Sequence, residues 1–539
     1  MKNGISLIVL IITIIIIIIL AGAVILNLSN NNPIDNAKIA NLTQHKESLD
    51  SAMTLYLSKQ TTKTLGEYSA SDIINGKSPD MPKLIDTEDG ISINGVSVYL
   101  VKEDVIAQEL NISLENKENS KWYIDPLTGK FYLVYDNKES YDGYLGNYDE
   151  ATGNLENKTI SQFVIAKSLN DYDEIKGVNR PRLVAGMKPI KWDTSGNVVE
   201  TNENDPEWYD YTSKKWANAR TEDGSMWVWI PKYEYKMQTS HTSNAQIIDV
   251  KFMIGTNSVG SDGYTIHPAF RFGYEDLSGI WVAKFEASGN TSSIDIKPGV
   301  ASLRNLTMDS MFAACRNMEE NLRYGWGSTG KSIDTHLMKN IEWGAVAYLS
   351  SSTYGKTGEI WINPNSNYLT GQAGSSVNSS GTTSTNGYNT ANGVNASTTG
   401  NVYGIYDMSG GALEYVAAYI NNNNINLTAY GQTLLDADSR YKDVYSIGAS
   451  DTRPLNYLSN AHKKGDAVYE TSVNPESDGS SWYEDMSYMP YTYFPFFIRG
   501  GYYNNSNFAG IFAYCDYTAG SPYEGASFRP VLVISSVQE

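Results

Sequence analysis

Hydrophobic and polar positions along the chain change their pattern several times. Ile5–Leu26 is 22 residues without a charge. As a helix it extends roughly 33 Å, enough to cross the hydrocarbon core of a bilayer. A cleaved secretory signal has a shorter apolar region of about 7–15 residues. Here the run continues past Ala21-Gly22-Ala23 to Leu26, so the segment is expected to remain on the protein. Lys2 is the only charged side chain before it, which favours an inside N-terminus and an outside body. Beyond Pro33, the apolar residues Ile39, Leu42, Leu49, Met53 and Tyr56 fall at helical spacing. The pattern predicts a long helix over residues 5–59, of which 5–26 is the membrane part.

The period then shortens to that of strands. Ile91 and Ile93, then Asn94-Gly95, then Val96, Val98 and Leu100 predict a tight hairpin. Trp122–Ile124 and Phe131–Val134, joined through Asp125-Pro126-Leu127-Thr128-Gly129, predict a second one. Residues 60–137 are therefore expected to form a small β domain, and 138–178, rich in Asn, Asp, Tyr and Gly, a linker or insertion. A large domain is expected over 179–539. Met226–Ile230 reads as a strand closed by Pro231, and Ile280–Glu286 alternates as a half-buried strand does. Thr307 is placed to cap a helix with Met308, Met311, Phe312, Cys315 and Met318 on its apolar face. Ile341–Leu349 predicts a further short helix. Asn363–Gly400, low in complexity and made of Gly, Ser, Thr and Asn, is expected to be a long surface loop.

Composition narrows the function classes. The chain has 539 residues, too many for one ordinary domain, and 41% of them are hydrophobic, enough for real cores. Its net charge of −19 argues against a nucleic-acid partner, whose phosphates are held by Lys and Arg. Two cysteines cannot staple a chain of this size, so stability must come from packed cores or metals. The five histidines are scattered, and no metalloprotease helix motif or phosphate-cradling loop occurs.

Two resemblances then appear. Lys2-Asn3-Gly4-Ile5-Ser6-Leu7-Ile8 resembles the prepilin signal of type IV pilins and pseudopilins. In that family a peptidase cuts after the glycine, here between Gly4 and Ile5, and methylates the new terminus. The retained helix then packs against other pilin subunits as the core of a filament. Val9 stands where the family usually has glutamate, which points to a minor or tip subunit rather than an ordinary shaft subunit. Further on, Ile280–Ser288, Gly400–Val416 and Ile498–Val531 together resemble the formylglycine-generating-enzyme superfamily, whose fold is of the C-type-lectin type. The fold expected from both is α+β: a long pilin helix with a small antiparallel sheet, then a mixed α/β domain of the C-type-lectin type. Gly410-Gly411 is expected to form a positive-φ turn. Arg499, Gly500 and Gly501 are expected to bring a strand end against its neighbour, and Arg529, after Phe528, to bond backbone carbonyls at the last strand.

The enzymes of that superfamily hold copper on a closely spaced cysteine pair after their Arg-Gly-Gly element. This chain has only Cys515 there, and Cys315 lies on an apolar helix face, so catalysis and a catalytic cofactor are not expected. A structural calcium near the Gly410-Gly411 turn is the one ion the resemblance suggests, with a thinned oxygen set. The segment between the two anchors, within 499–530, resembles the variable region of proteins diversified by retroelements. There, template asparagine codons mutated at adenine yield residues such as Tyr, Ser, Asp, Thr, Cys, Phe, Ala or Gly. Tyr502, Phe508, Tyr514, Cys515, Asp516, Tyr517, Thr518 and Tyr523 are reachable in that way, and Glu524 is not. Together with Tyr503, Asn504 and Asn507 they form the expected ligand-binding set, with Cys515 exposed among tyrosines. Tyrosines and small polar residues suit such a surface. The function these readings imply is cell-surface adhesion, by a head that binds an extracellular protein or glycan and is borne on a pilin stem in a bacterial membrane or pilus. The alternatives are a membrane-anchored surface protein outside any pilus, with a fixed scaffold head, and a formylglycine-generating-type enzyme.

Overall fold

The computed structural model describes residues 33–534 except 65–66, 79, 94–95, 115–119, 136–147, 150–153, 156–163, 167–171, 174, 258–259, 274 and 327–332. Gly4, Ile5, Val9 and the apolar run Ile5–Leu26 lie outside the described residues. Among those described, no helix is long and apolar enough to cross a membrane. The fold is mixed α+β with mainly antiparallel sheets, and the chain divides into two compact units, Met1–Asn170 and Asp171–Gln538.

In the first unit, helix α1 (Pro33–Lys63) buries Leu42, Leu49, Met53 and Tyr56, residues placed on its apolar face from spacing alone; the side chain of Ile39, the fifth, lies outside what the structure describes. They pack with Trp122, Ile124, Phe131 and Leu133 from the sheet. That sheet runs β1 (Ile85–Ile93), β2 (Val96–Val101), β3 (Ser120–Ile124), β4 (Phe131–Tyr135). Ile93 pairs with Val96, and Ile124 with Phe131, so both expected hairpins form in the expected register. Asp50 on α1 fixes the helix to the second hairpin by accepting from the Phe131 N–H at 2.9 Å. A short helix, α2 (Glu103–Leu110), carries the chain from β2 towards β3. The expected linker is partly structured: β5 (Val164–Ala166) adds a parallel fifth strand beside β4, and Tyr172–Asp173 pairs with Val178–Asn179.

The second unit is built on two seven-stranded sheets. The first is antiparallel throughout, in the order β7 (Val198–Glu200), β6 (Lys188–Trp192), β8 (Asn218–Arg220), β9 (Met226–Pro231), β10 (Gly279–Ala283), β19 (Pro530–Ile534), β11 (Ile333–Leu337). The second is mixed. Its path is β13 (Asp443–Tyr445), β12 (Leu413–Ile420), β16 (Phe496–Arg499), β17 (Tyr514–Cys515), β15 (Ser487–Tyr488), β14 (Glu476–Ser477), and β18 (Ala526–Phe528) pairs with β12. Helix α3 (Met308–Arg316) starts at Thr307, whose hydroxyl accepts from the Ser310 N–H at 3.1 Å, and it buries Met308, Met311, Phe312 and Cys315, with Met318 buried just beyond it. Helix α4 (Asn340–Ser350) is buried along almost its whole length.

Two expectations need correction. Strand β10 is not half-buried: every residue from Gly279 to Glu286 is buried. It lies inside the sheet between β9 and β19, with Trp281 packed against Trp229 at 5.3 Å. Asn363–Gly400 is not simply a surface loop either. Asn363, Asn365, Ser397, Thr398 and Thr399 are buried with their amides and hydroxyls bonded to neighbouring groups, and Ala373 and Ala396 are buried as well. The Asn363 side chain donates to Leu369 O and to Asp407, for example, and the Thr398 hydroxyl accepts from the Ile405 N–H. The portions around Ser375–Ser384 and Asn389–Asn392 are largely exposed.

Candidate ligand-binding surface

The candidate segment hangs between two buried arginines. Arg529 is the single residue between β18 of one sheet and β19 of the other. Its guanidinium donates to Ala283 O at 2.7 Å, to Tyr406 O at 2.8 Å and to both carboxylate oxygens of Glu414 at 2.6 and 3.1 Å. It therefore bonds backbone carbonyls as expected and also ties the two sheets together. Arg499, fully buried at the end of β16, donates to the Asn340 side chain and to the carbonyls of Asp466, Ala467 and Ile511. Burial lowers its pKa to about 10. Gly500 and Gly501 come next with φ of +83° and +77°, and a Cβ on Gly501 would lie 2.6 Å from the Ala509 Cα. Only glycine allows that approach.

Around the Gly410-Gly411 turn, whose φ values of +73° and +75° are as expected, three carboxylates gather in the interior. Glu414 faces Arg529. Asp407 accepts from the Gly371 N–H and the Asn363 amide. Glu286 accepts from the Ala412 N–H at 2.9 Å. Burial raises the pKa of all three, that of Glu414 to about 7, and it outweighs the pull of Arg529 in each. These residues do not fit a calcium ion: Glu414 is spent on a guanidinium and Asp407 on N–H donors, which leaves no set of free oxygens. Among the described residues, no group of three or more His, Cys, Asp or Glu side chains is placed to hold a metal.

Between the anchors, Tyr502–Gly525 divides by depth. Tyr514, Cys515, Asp516 and Thr518 were expected at the surface, and the structure turns all four inwards. The Tyr514 hydroxyl bonds Ser472 at 2.9 Å. Cys515 is only 6% exposed and pairs with Ile498 in the sheet, so the cysteine expected among exposed tyrosines is a buried one, and burial pushes its thiol up to about 12. Asp516 takes a two-pronged bond from Arg453 at 3.0 and 3.1 Å; burial still raises its carboxyl to about 6. The physical cause is the run Ala509–Ala513, which is buried throughout and draws Tyr514 and Cys515 into strand β17. The Trp343 indole on α4 locks that run by donating to Ile511 O at 2.7 Å.

The remaining expected residues, Tyr502, Tyr503, Asn504, Asn507, Phe508, Tyr517 and Tyr523, are exposed or half-buried. Tyr502 and Tyr503 pack ring to ring at 4.3 Å, Tyr517 and Tyr523 at 5.5 Å, and Tyr517 is 63% exposed. Three contributors are not evident from the sequence. Tyr368 meets Tyr503 edge-on at 5.1 Å and its hydroxyl bonds that of Tyr502. The Arg304 guanidinium covers the Tyr368 ring at 3.7 Å. Residues 378–381 bond the segment directly, through Asn378, Ser380 and Gly381. Nothing local marks these partners, because each lies over a hundred positions from the segment.

No known protein-family model matches the chain, and no curated protein is significantly similar to it.

Proposed function

We propose that this protein is a surface-displayed recognition protein: a pilin-like stem, processed between Gly4 and Ile5 and used as a minor or tip subunit, carrying a ligand-binding head of the C-type-lectin type. The observation that carries the reading is the cluster of tyrosines at the surface: Tyr502, Tyr503, Tyr517 and Tyr523 on a segment suspended between two buried arginine anchors, with Tyr368 packed against it. A rigid frame beneath amphipathic aromatic side chains supports recognition, since little conformational entropy is lost on binding. The helix-then-sheet order of the first unit supports the pilin-like stem. The buried thiols of Cys315 and Cys515, on separate elements, support a head that binds rather than catalyses.

The test has two arms. Co-expression with a prepilin peptidase should give a mature chain that begins at methylated Ile5 by mass spectrometry; an intact Met1 terminus would remove the pilin part. Cells bearing Tyr503→Ala/Tyr517→Ala should keep the protein at the surface but lose adherence. Unchanged adherence would remove the binding part.

A further inference from the structure

His336, on strand β11, is fully buried, and both of its ring nitrogens meet carboxylates. Nδ1 lies 2.8 Å from Asp334 Oδ1, and Nε2 lies 3.0 Å from Glu342 Oε1 on α4. A neutral imidazole has one N–H and one lone pair, so it satisfies only one of these contacts. The other would set a lone pair against a carboxylate oxygen. Two arrangements remove the clash: a proton on the second ring nitrogen, or a proton on a carboxylate. The surroundings decide between them. Asp334 already has a permanent cation, Arg316 at the end of α3, at 2.7 Å, and accepts from the Tyr441 hydroxyl at 2.7 Å. Glu342 has the Lys339 ammonium at 3.2 Å and accepts from the Lys339 N–H at 2.8 Å. Burial alone would raise both carboxyls, but His336, Arg316 and Tyr441 hold Asp334, and Lys339 and His336 hold Glu342, at about 2. The extra proton therefore belongs to the ring.

The other elements around the ring complete the picture. Phe272 stacks on it at 5.2 Å, the Tyr441 ring lies 5.9 Å away, and β19 places apolar Val531 opposite it. The like charges nearby, Arg440 and Lys339, lie over the Phe272 ring at 5.6 and 5.4 Å. Two more acids stand behind the first pair. Glu319 bonds Arg316 at 2.8 Å, and Asp443 of β13 accepts from the Ile341 N–H of α4 at 2.9 Å. Burial raises Glu319 to about 7 and Asp443 to about 6, so both gain charge near neutral pH and add to the pull on the ring proton. For His336 itself, burial works to strip the proton, but Glu342 and Asp334 outweigh it and the pKa is raised above the ordinary histidine value. We infer that His336 is a buried imidazolium acting as a proton-operated clasp, which ties β11 and α3 to α4 while charged and loosens the second unit when rising pH removes its proton. Helix α4 also carries Asn340, which holds Arg499, and Trp343, which holds Ile511 O, so the clasp bears on the frame beneath the surface segment. The folded value exceeds the unfolded one of about 6.5, so the contribution is complete below that value and is lost as pH rises through the folded one.

The clasp is tested on the full chain in mild detergent, whether or not the head binds a ligand. Urea unfolding is followed at pH 7 and at pH 9 for the native chain and for His336→Gln, which occupies the site without a titrating proton. From pH 7 to pH 9 the native folding constant should fall by about tenfold more than that of the variant, the linkage of close to one proton over more than one pH unit. A second measurement needs no variant to fold. With histidine isotopically labelled at its ring nitrogens, one of the five histidines should show both nitrogens protonated at pH 8 by nuclear magnetic resonance. Parallel pH profiles for the two chains, or an unprotonated nitrogen on every histidine ring at pH 8, overturns the inference.

Discussion

Tyr502–Phe508 and Ala509–Asp516 are consecutive in the chain, and both mix aromatic with small residues, yet they play opposite physical parts. The first is held mainly through its main chain by Gly381, Ser380, Gly411 and Met486, with the Asn505, Ser506 and Asn507 side chains bonding Tyr502 N–H, Asn378 O and Glu484, and its side chains are all exposed or half-buried. The second is also held through main-chain bonds, at Gly510, Ile511, Phe512, Tyr514 and Cys515, but its side chains are buried, with Tyr514 on Ser472 and Asp516 on Arg453. A position whose side chain is outward tolerates exchange better than one whose side chain is buried. The difference teaches that composition alone does not separate outward from inward positions. The depth of each side chain does.

The largest expected effect tests the frame common to both parts. Arg529→Ala leaves Glu414 buried without its partner, beside Glu286 and Asp407, and should destabilise the second unit by about 3–5 kcal/mol. Arg529→Lys should rescue little, because an ammonium cannot reproduce the two-pronged contact together with two carbonyl bonds. Urea unfolding followed by tryptophan fluorescence reads this cleanly, since all tryptophans except Trp122 lie in that unit. A loss under about 1 kcal/mol would mean that the anchor does not carry the sheets.

Next comes the contrast itself. Cys515→Tyr, an exchange between two residue types of the expected variable set, places a large ring in the packed interior and should cost about 1–3 kcal/mol. Asn504→Tyr, the same kind of exchange on the outward part, should stay within about 0.5 kcal/mol. Equal costs at the two sites would erase the distinction.

A smaller effect concerns pH. Glu286, Asp407 and Glu414 have folded pKa values above their ordinary ones, because burial disfavours their charged forms. The folded state therefore holds more protons than the unfolded one. This contribution is fully present below the unfolded carboxyl range and declines as pH rises through it towards the folded values, about 7 for Glu414. Glu286→Gln removes one such group while keeping an oxygen to accept from the Ala412 N–H. Relative to the native chain, the variant should gain stability between pH 5 and pH 8, on the order of 1 kcal/mol. A pH-independent difference would show that the folded Glu286 carboxyl is not raised above its unfolded value.

Local patterns were legible where local physics decides. The Thr307 cap and its apolar helix face, both hairpin registers of the first unit, and the positive-φ pair Gly410-Gly411 arise from spacing, propensity and steric freedom. Long-range pairing was not legible. Ile280–Glu286 reads as alternating because Lys284 and Glu286 are charged. Lys284 is nonetheless buried, since its ammonium reaches Asn218, Val402 O and Gly404 O, up to 120 positions away. Likewise the polar residues of 363–400 look solvated until their backbone partners are known. Cys515 looked exposed because it sits among tyrosines, while the cue against that reading was the apolar run Ile511-Phe512-Ala513 just before it.

The smallest expected effect bears hardest on the comparison. Tyr503→Ser, Asn504→Ser, Asn507→Ser and Tyr517→Ser combined should leave the unfolding midpoint nearly unchanged, each costing no more than about 0.5 kcal/mol. Amide exchange over 502–508 should also keep its protection, because Gly381 and Gly411 hold the backbone of Tyr503 and not its side chain. Gly381→Pro supplies the opposite case. It removes the N–H that bonds Tyr503 O, at a φ of +47° that proline cannot adopt. Protection over 502–508 should fall in that variant while the buried run Ala509–Ala513 stays protected, since Trp343 and Arg499 hold Ile511 O from beneath. If the serine variant loses protection and the proline variant does not, the segment is held by its side chains after all, and the outward and inward parts are one packed unit.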